Sequence, residues 1–101
     1  MSKNKYRISQ QAIDDLDKIW IYTLNKWSKE QADRYFDLII AEIEFIADNY
    51  LIGKSAEQTR KNYRITKIKS HLIFYRKVEN DIVEIVRILH QGMDTKKTLS
   101  Q

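Results

Sequence analysis

Apolar positions recur at helical spacing through the first half of the chain and at strand spacing through the second. Ile13, Leu16, Trp20, Leu24 and Trp27 follow at intervals of three or four residues. That is one stripe of an α-helix with a period of about 3.6. Ser9 stands where an N-cap is needed, and Asp14, Asp15 and Asp17 are assigned to the first turns, where the helix dipole favours negative charge. Ser28-Lys-Glu-Gln31 then has the form of a capping box. It opens a second helix with its stripe at Ala32, Phe36, Ile39, Ile43, Ile46 and Tyr50. The connection is so short that the helices are predicted to pair as an antiparallel hairpin. Tyr35, Leu38, Ile40 and Phe45 widen the second stripe beyond what one neighbouring helix covers, so this helix also meets a sheet or a partner.

Strand patterns flank the hairpin. Lys5-Tyr-Arg-Ile-Ser9 is a short strand candidate, Gly53 to Lys61 is polar and reads as a loop, and three strands follow at about 63–69, 71–78 and 82–90. Lys69-Ser70 and Glu79-Asn-Asp81 are the turns between them, too short for anything but antiparallel neighbours. The order β-α-α-β-β-β predicts an α+β domain, a helical hairpin packed on a small, mostly antiparallel sheet. Regular alternation puts Leu72, Phe74, Arg76 and Val78 on one face of the third strand, and His71, Ile73, Tyr75 and Lys77 on the other. In the fourth it separates Val83, Ile85, Arg87 and Leu89 from Ile82, Glu84, Val86, Ile88 and His90. Both faces are therefore partly apolar, and one hairpin covers only one of them. An uncovered apolar face of this kind marks an interaction site, unless the 53–61 loop or the tail beyond Gly92 folds over it.

Composition narrows the class. The 101 residues allow one domain, with a core of about 5–94 and a short tail, and include no cysteine and no proline. Disulfides and thiolate metal sites are thereby ruled out, and a soluble protein of the reducing cytoplasm, away from membranes, is expected. The two histidines lack chelating spacing, so no metal and no cofactor is expected. Net charge is +4 but uneven: residues 1–53 carry seven Lys or Arg and nine Asp or Glu, and residues 54–101 carry eleven and five. A basic second half suits an acidic partner, and Arg64, Lys67, Lys69 and Arg76 are the candidates for contact with a target.

Tyr63-Arg64, Ser70-His-Leu-Ile-Phe-Tyr-Arg76 and Arg87-Ile-Leu-His-Gln-Gly-Met-Asp94, with Tyr6-Arg-Ile-Ser9 and Asp15-Leu16 near the start, resemble ParE-type toxins of the RelE/ParE superfamily. The resemblance runs from Tyr6 to Asp94, and the ending Arg87 to Asp94 is its most specific part. The chain departs from it at Ser28, where many relatives have glycine, and over Asn49–Gly53, where many have proline. The resemblance implies a bacterial type II toxin, of the kind linked to plasmid stabilisation, that binds DNA gyrase and is neutralised by a ParD-like antitoxin. DNA is then reached only through the antitoxin or gyrase. The same superfamily includes ribosome-dependent messenger nucleases of the RelE type, which is the alternative.

For that alternative, His90, Arg87, Tyr75 and Arg64 are the residues that could serve as acid, base and cationic stabiliser. Alternation places Arg87 and His90 on opposite faces, so the set does not converge unless the strand bulges. Arg87, flanked by apolar residues, needs a carboxylate, and Asp94 or Glu84 is the expected partner. Trp20 and Trp27 are expected in the core. The surplus apolar surface makes Tyr35, Leu38 and Phe45 on the helices, and Ile73, Tyr75, Ile82, Val86 and Ile88 on the sheet, the predicted antitoxin contacts. A third reading is a degraded relative that binds its antitoxin and has no target.

Overall fold

A computed structural model describes residues 6–57, 60–93 and 95–99. Strand β1 (Tyr6–Ile8) leads into α1 (Gln10–Lys26) and α2 (Lys29–Asp48). A 3-10 turn (Tyr50–Ile52) precedes the two-residue strand β2 (Lys54–Ser55), then β3 (Arg64–Ile68), β4 (His71–Lys77) and β5 (Val83–His90). A short helix α3 (Thr95–Leu99) follows. The sheet order is β1-β5-β4-β3-β2, with β1 parallel to β5 and every other pair antiparallel. The expected α+β architecture is thus present, with β2 added inside the segment read as a loop.

The helix starts follow their caps. Ser9 Oγ accepts from Ala12 N–H at 3.1 Å, and Ser28 Oγ accepts from Gln31 N–H at 3.1 Å. The first turn of α1 contains no acid. The buried stripe of α1 is Ala12, Asp15 and Leu16, extended by Ile19. It is rotated from the expected one, so Ile13 and Trp27 stay exposed. In α2 the expected stripe is buried at Ala32, Ile39, Ile43 and Ile46, whereas Phe36, expected among them, is exposed.

Two apolar clusters sandwich the sheet. Beneath the hairpin lie Leu16, Ile39, Ile43, Ile46, Ile73, Tyr75, Val83, Ile85 and Ile88. On the outer face lie Tyr63, Phe74 and Leu89 with Ala56 and Leu99, flanked by Ile65, Leu72 and Val86. The chain's own Ala56, Tyr63 and α3 therefore cover the Phe74 and Leu89 face, and the hairpin covers the Ile73 and Tyr75 face expected to await a partner. Within β5 a bulge changes the expected faces. Phe74 pairs with Arg87 but Tyr75 pairs with Ile85, which leaves Val86 as an extra residue in β5. Alternation is reset there, so Ile88 joins Val83 and Ile85 under the helices, while Val86 turns outward. Ile73, Tyr75 and Ile88, expected to face an antitoxin, are sealed in the core. Only Ile82 and Val86 of the sheet set keep partial exposure.

Asp15 joins α1 to this bulge. Its carboxylate accepts from Arg87 Nε at 2.8 Å, Arg87 Nη2 at 3.0 Å and the Ile88 backbone N–H at 2.9 Å. Strand β1 pairs with β5 only as far as Ile85, so Asp15 takes the place of a strand partner beyond it. Glu84, one expected partner of Arg87, binds Arg7 and Arg76 instead; Asp94, the other, lies outside the described residues. Asp15→Ala strands Arg87, whose side chain is 15% exposed, and is expected to cost about 3–5 kcal/mol in urea unfolding. A loss below about 1 kcal/mol, the worth of an exposed pair, would show that solvent screens it.

Candidate functional site

A groove of about 970 Å³ opens between α1, the start of α2, the β3–β4 turn and the end of β5. Tyr22 and Trp27 stand on its wall at 61% and 69% exposure, with Met93 across from the helices on the segment after β5. Lys18, Lys26 and Lys69 line it as well. Trp27 is exposed because it is the C-cap of α1, beyond the turns that pack on the sheet. Its N–H closes the helix by donating to the Thr23 carbonyl at 2.8 Å. The position of Trp27, directly before the capping box at Ser28, is the one sequence signal that it sits at a corner.

The floor of the groove holds a histidine pair. His71 and His90 are cross-strand partners whose rings meet edge to face at 5.4 Å. The Tyr35 hydroxyl donates to the Ile68 carbonyl at 3.2 Å and shares a hydrogen bond with His71 Nδ1 at 2.7 Å. His90 Nδ1 accepts from the Gly92 N–H at 3.0 Å, which places the proton of its neutral form on Nε2. Burial holds the His71 pKa below its usual value, and the neighbouring His90 lowers it further. Burial raises that of Tyr35.

The four residues considered for RNA cleavage fall into two groups. Arg87 and His90 border the groove, but the Arg87 guanidinium is committed to Asp15, a hydrogen bond that raises its pKa. Tyr75 and Arg64 lie at the other end of the sheet. The Tyr75 hydroxyl donates to the Tyr50 carbonyl at 2.7 Å and accepts from Gly53 N–H at 2.9 Å. Arg64 donates to the carbonyls of Leu51 and Gly53 and rests on the Tyr50 ring. Gly53 is needed there for closeness, since a Cβ would press on the Tyr75 hydroxyl and sit 2.7 Å from the Ile65 carbonyl. Four strand positions separate Tyr75 from His71, roughly 13 Å at about 3.3 Å per residue. The set does not converge on one point.

The other candidates also divide. Lys69 lines the groove, Lys67 is exposed on the outer face beside Leu72, and Arg76 is half-buried there against Glu84. Tyr35 is in the groove, and Leu38 and Phe45 are exposed along α2. Tyr22 and Met93 add apolar surface that the sequence pattern did not single out, and so does Trp27, expected in the core. No cluster of His, Asp or Glu able to hold a metal occurs among the described residues, and no described helix is long and apolar enough to cross a membrane.

Residues 6–95 match the family described as ParE toxin of type II toxin-antitoxin system, parDE. The chain is 42% identical to toxin ParE1 of Caulobacter vibrioides over 94 residues, covering 93% of this chain and 96% of that one. It is 33% identical to toxin ParE1 of Mycobacterium tuberculosis over 96 residues, covering 95% and 98%. The fold is similar to that solved for the chromosomal ParDE system of P. aeruginosa, with a TM-score of 0.76 at 19% identity, covering 86% of this chain and 95% of that one. It is also similar to one in the RelBE2 toxin–antitoxin complex of M. tuberculosis, with a TM-score of 0.62 at 18% identity, covering 92% and 97%.

The histidine pair gives the groove a pH dependence of known sign. Because folding lowers the His71 pKa, the unfolded chain takes up its proton first. Stability is complete above about 6.5, the unfolded value, and falls as pH drops toward the folded pKa. A proton NMR titration is expected to place the His71 midpoint below 6.5, and His90→Ala is expected to raise it. An unchanged midpoint in that variant would remove His90 as a cause.

Proposed function

The chain belongs to the ParE toxins of type II toxin–antitoxin systems, and we propose that it acts by binding DNA gyrase and not by cutting RNA. The observation that supports binding over catalysis is the division of the acid, base and cation set. Arg64 and Tyr75 are spent on the Tyr50–Gly53 turn, and Arg87 is spent on Asp15. General acid–base cleavage needs those groups within hydrogen-bond reach of one phosphate. The alternative, a ribosome-dependent ribonuclease, draws on His71, His90 and Tyr35 at the groove floor.

The cognate antitoxin, of the ParD kind, occupies the groove and the outer side of the hairpin. Tyr22, Trp27, Leu38, Phe45 and Met93 supply apolar anchors there, and Lys18, Lys26 and Lys69 attract an acidic segment. With the sheet covered by its own chain, these surfaces remain for a partner to bury.

Purified protein is expected to inhibit gyrase supercoiling and to accumulate cleaved gyrase–DNA complex, and His90→Ala is expected to keep both effects. Message cleavage in a translating extract, lost in His90→Ala, would replace this reading with the ribonuclease. Trp27→Ala is expected to weaken binding of the antitoxin encoded beside the toxin by about tenfold or more, read by calorimetry, as for an exposed aromatic anchor. Unchanged affinity in both Trp27→Ala and Phe45→Ala would move the docking surface elsewhere.

A further inference from the structure

The outer face of the sheet carries a feature to which the proposed function assigns no role. Between residues 54 and 77 the chain has eight Lys or Arg and one acid, Glu57. On the outer face several of these cations join a row that crosses the strands. Arg7 Nε on β1 donates to Glu84 Oε2 at 3.0 Å, and Arg76 on β4 donates to Glu84 Oε1 through Nε at 3.0 Å and Nη2 at 2.9 Å. Arg76 also lies over the Tyr63 ring at 5.8 Å, and Arg60 lies over the same ring at 5.9 Å. Three guanidiniums therefore share one carboxylate and one aromatic ring, which fix them while leaving a surplus of positive charge. Register places two more cations on this face, Lys54 opposite Ile65 and Lys67 opposite Leu72, both exposed.

We propose that this row binds the phosphate backbone of duplex DNA directly. Planar, pre-positioned guanidiniums match phosphate oxygens. The occupant is chosen by what the face lacks. Its apolar centre, Phe74 and Leu89, is already sealed by Ala56, Tyr63 and Leu99, and Ile65, Leu72 and Val86 beside it are partly buried, so the described residues offer the side chains of an amphipathic peptide little apolar surface. Tyr63 is 7% exposed with two guanidiniums over its ring, so it offers no free stacking surface for an unpaired base. A positive surface whose apolar centre is already covered suits a ligand whose affinity comes from its backbone charge. The contact is independent of gyrase, and it replaces the expectation that DNA is reached only through another protein.

The test is fluorescence anisotropy of a short labelled DNA duplex with the full chain, without gyrase, over a series of salt concentrations. The exposed pair Arg60→Gln/Lys67→Gln is expected to reduce the slope of log affinity against log salt by about 1.8, at about 0.9 for each phosphate no longer neutralised. Lys29→Gln/Arg34→Gln, two exposed cations on α2, is expected to leave the slope unchanged. An equal reduction in the two double variants would overturn the proposal. So would tighter binding of single-stranded RNA or of polyglutamate than of the duplex. Gyrase inhibition measured on the same variants separates this contact from the gyrase reading.

Discussion

The carboxylate of Asp15 is the interaction on which the rest of the structure depends. Three donors converge on it from β5, two from Arg87 and one from the Ile88 backbone. Burying that charge is tolerable only because each partner is itself a donor with no better acceptor nearby. The neighbouring bonds make the junction a unit. Ser9 N–H donates to the Ile85 carbonyl at 2.9 Å, Ser9 Oγ donates to the Val86 carbonyl at 2.8 Å, and the same Oγ caps α1. The end of β1, the start of α1 and the bulge in β5 are therefore fixed together. The bulge in turn decides which side chains of β5 go under the helices.

A second anchor works at the opposite end of the sheet. Tyr75, buried under the hairpin, sends its hydroxyl to the 3-10 turn, and Arg64 gathers the carbonyls of Leu51 and Gly53. Both residues belong to types that carry chemistry elsewhere. Here each satisfies backbone groups that a tight turn would otherwise leave without partners. Polar groups committed to the frame are less free to meet a substrate, which supports the proposed binding role. What the frame leaves open is a basic, aromatic groove on the helix side and a row of arginines on the outer side. The two surfaces face different directions and suit different partners, an acidic polypeptide and a nucleic acid backbone.

Much of the fold was legible along the chain. Stripe spacing located both helices, Ser9 and Ser28 marked their starts, and the turns at Lys69-Ser70 and Glu79–Asp81 separated the strands. The residues at these turns confirm their role: Lys69, Asn80 and Asp81 adopt positive φ, with values of 54°, 60° and 58°. The candidate site was less legible. Trp27 follows the stripe in sequence yet stands in solvent, because the side of α1 that packs runs through Ala12, Asp15, Leu16 and Ile19 and Trp27 is the C-cap beyond it. Asp15 lies on that packed side, three residues after Ala12 and four before Ile19. An acid at such a position is the signal that a buried cation faces it, and the dipole reading concealed it.

The sequence by itself determined the two long helices, four of the strands, their order, the apolar content of both sheet faces and the family, since periodicity, capping and local phrases are properties of neighbours in the chain. Only the tertiary structure decided which face the hairpin covers, what covers the other, and which carboxylate meets Arg87. The final strand shows why. Alternation assigns its faces with a period of two, and one extra residue at Val86 exchanges them. That extra residue is set by Ser9 and Asp15 across the fold, more than seventy positions away, and no pattern within the strand records it.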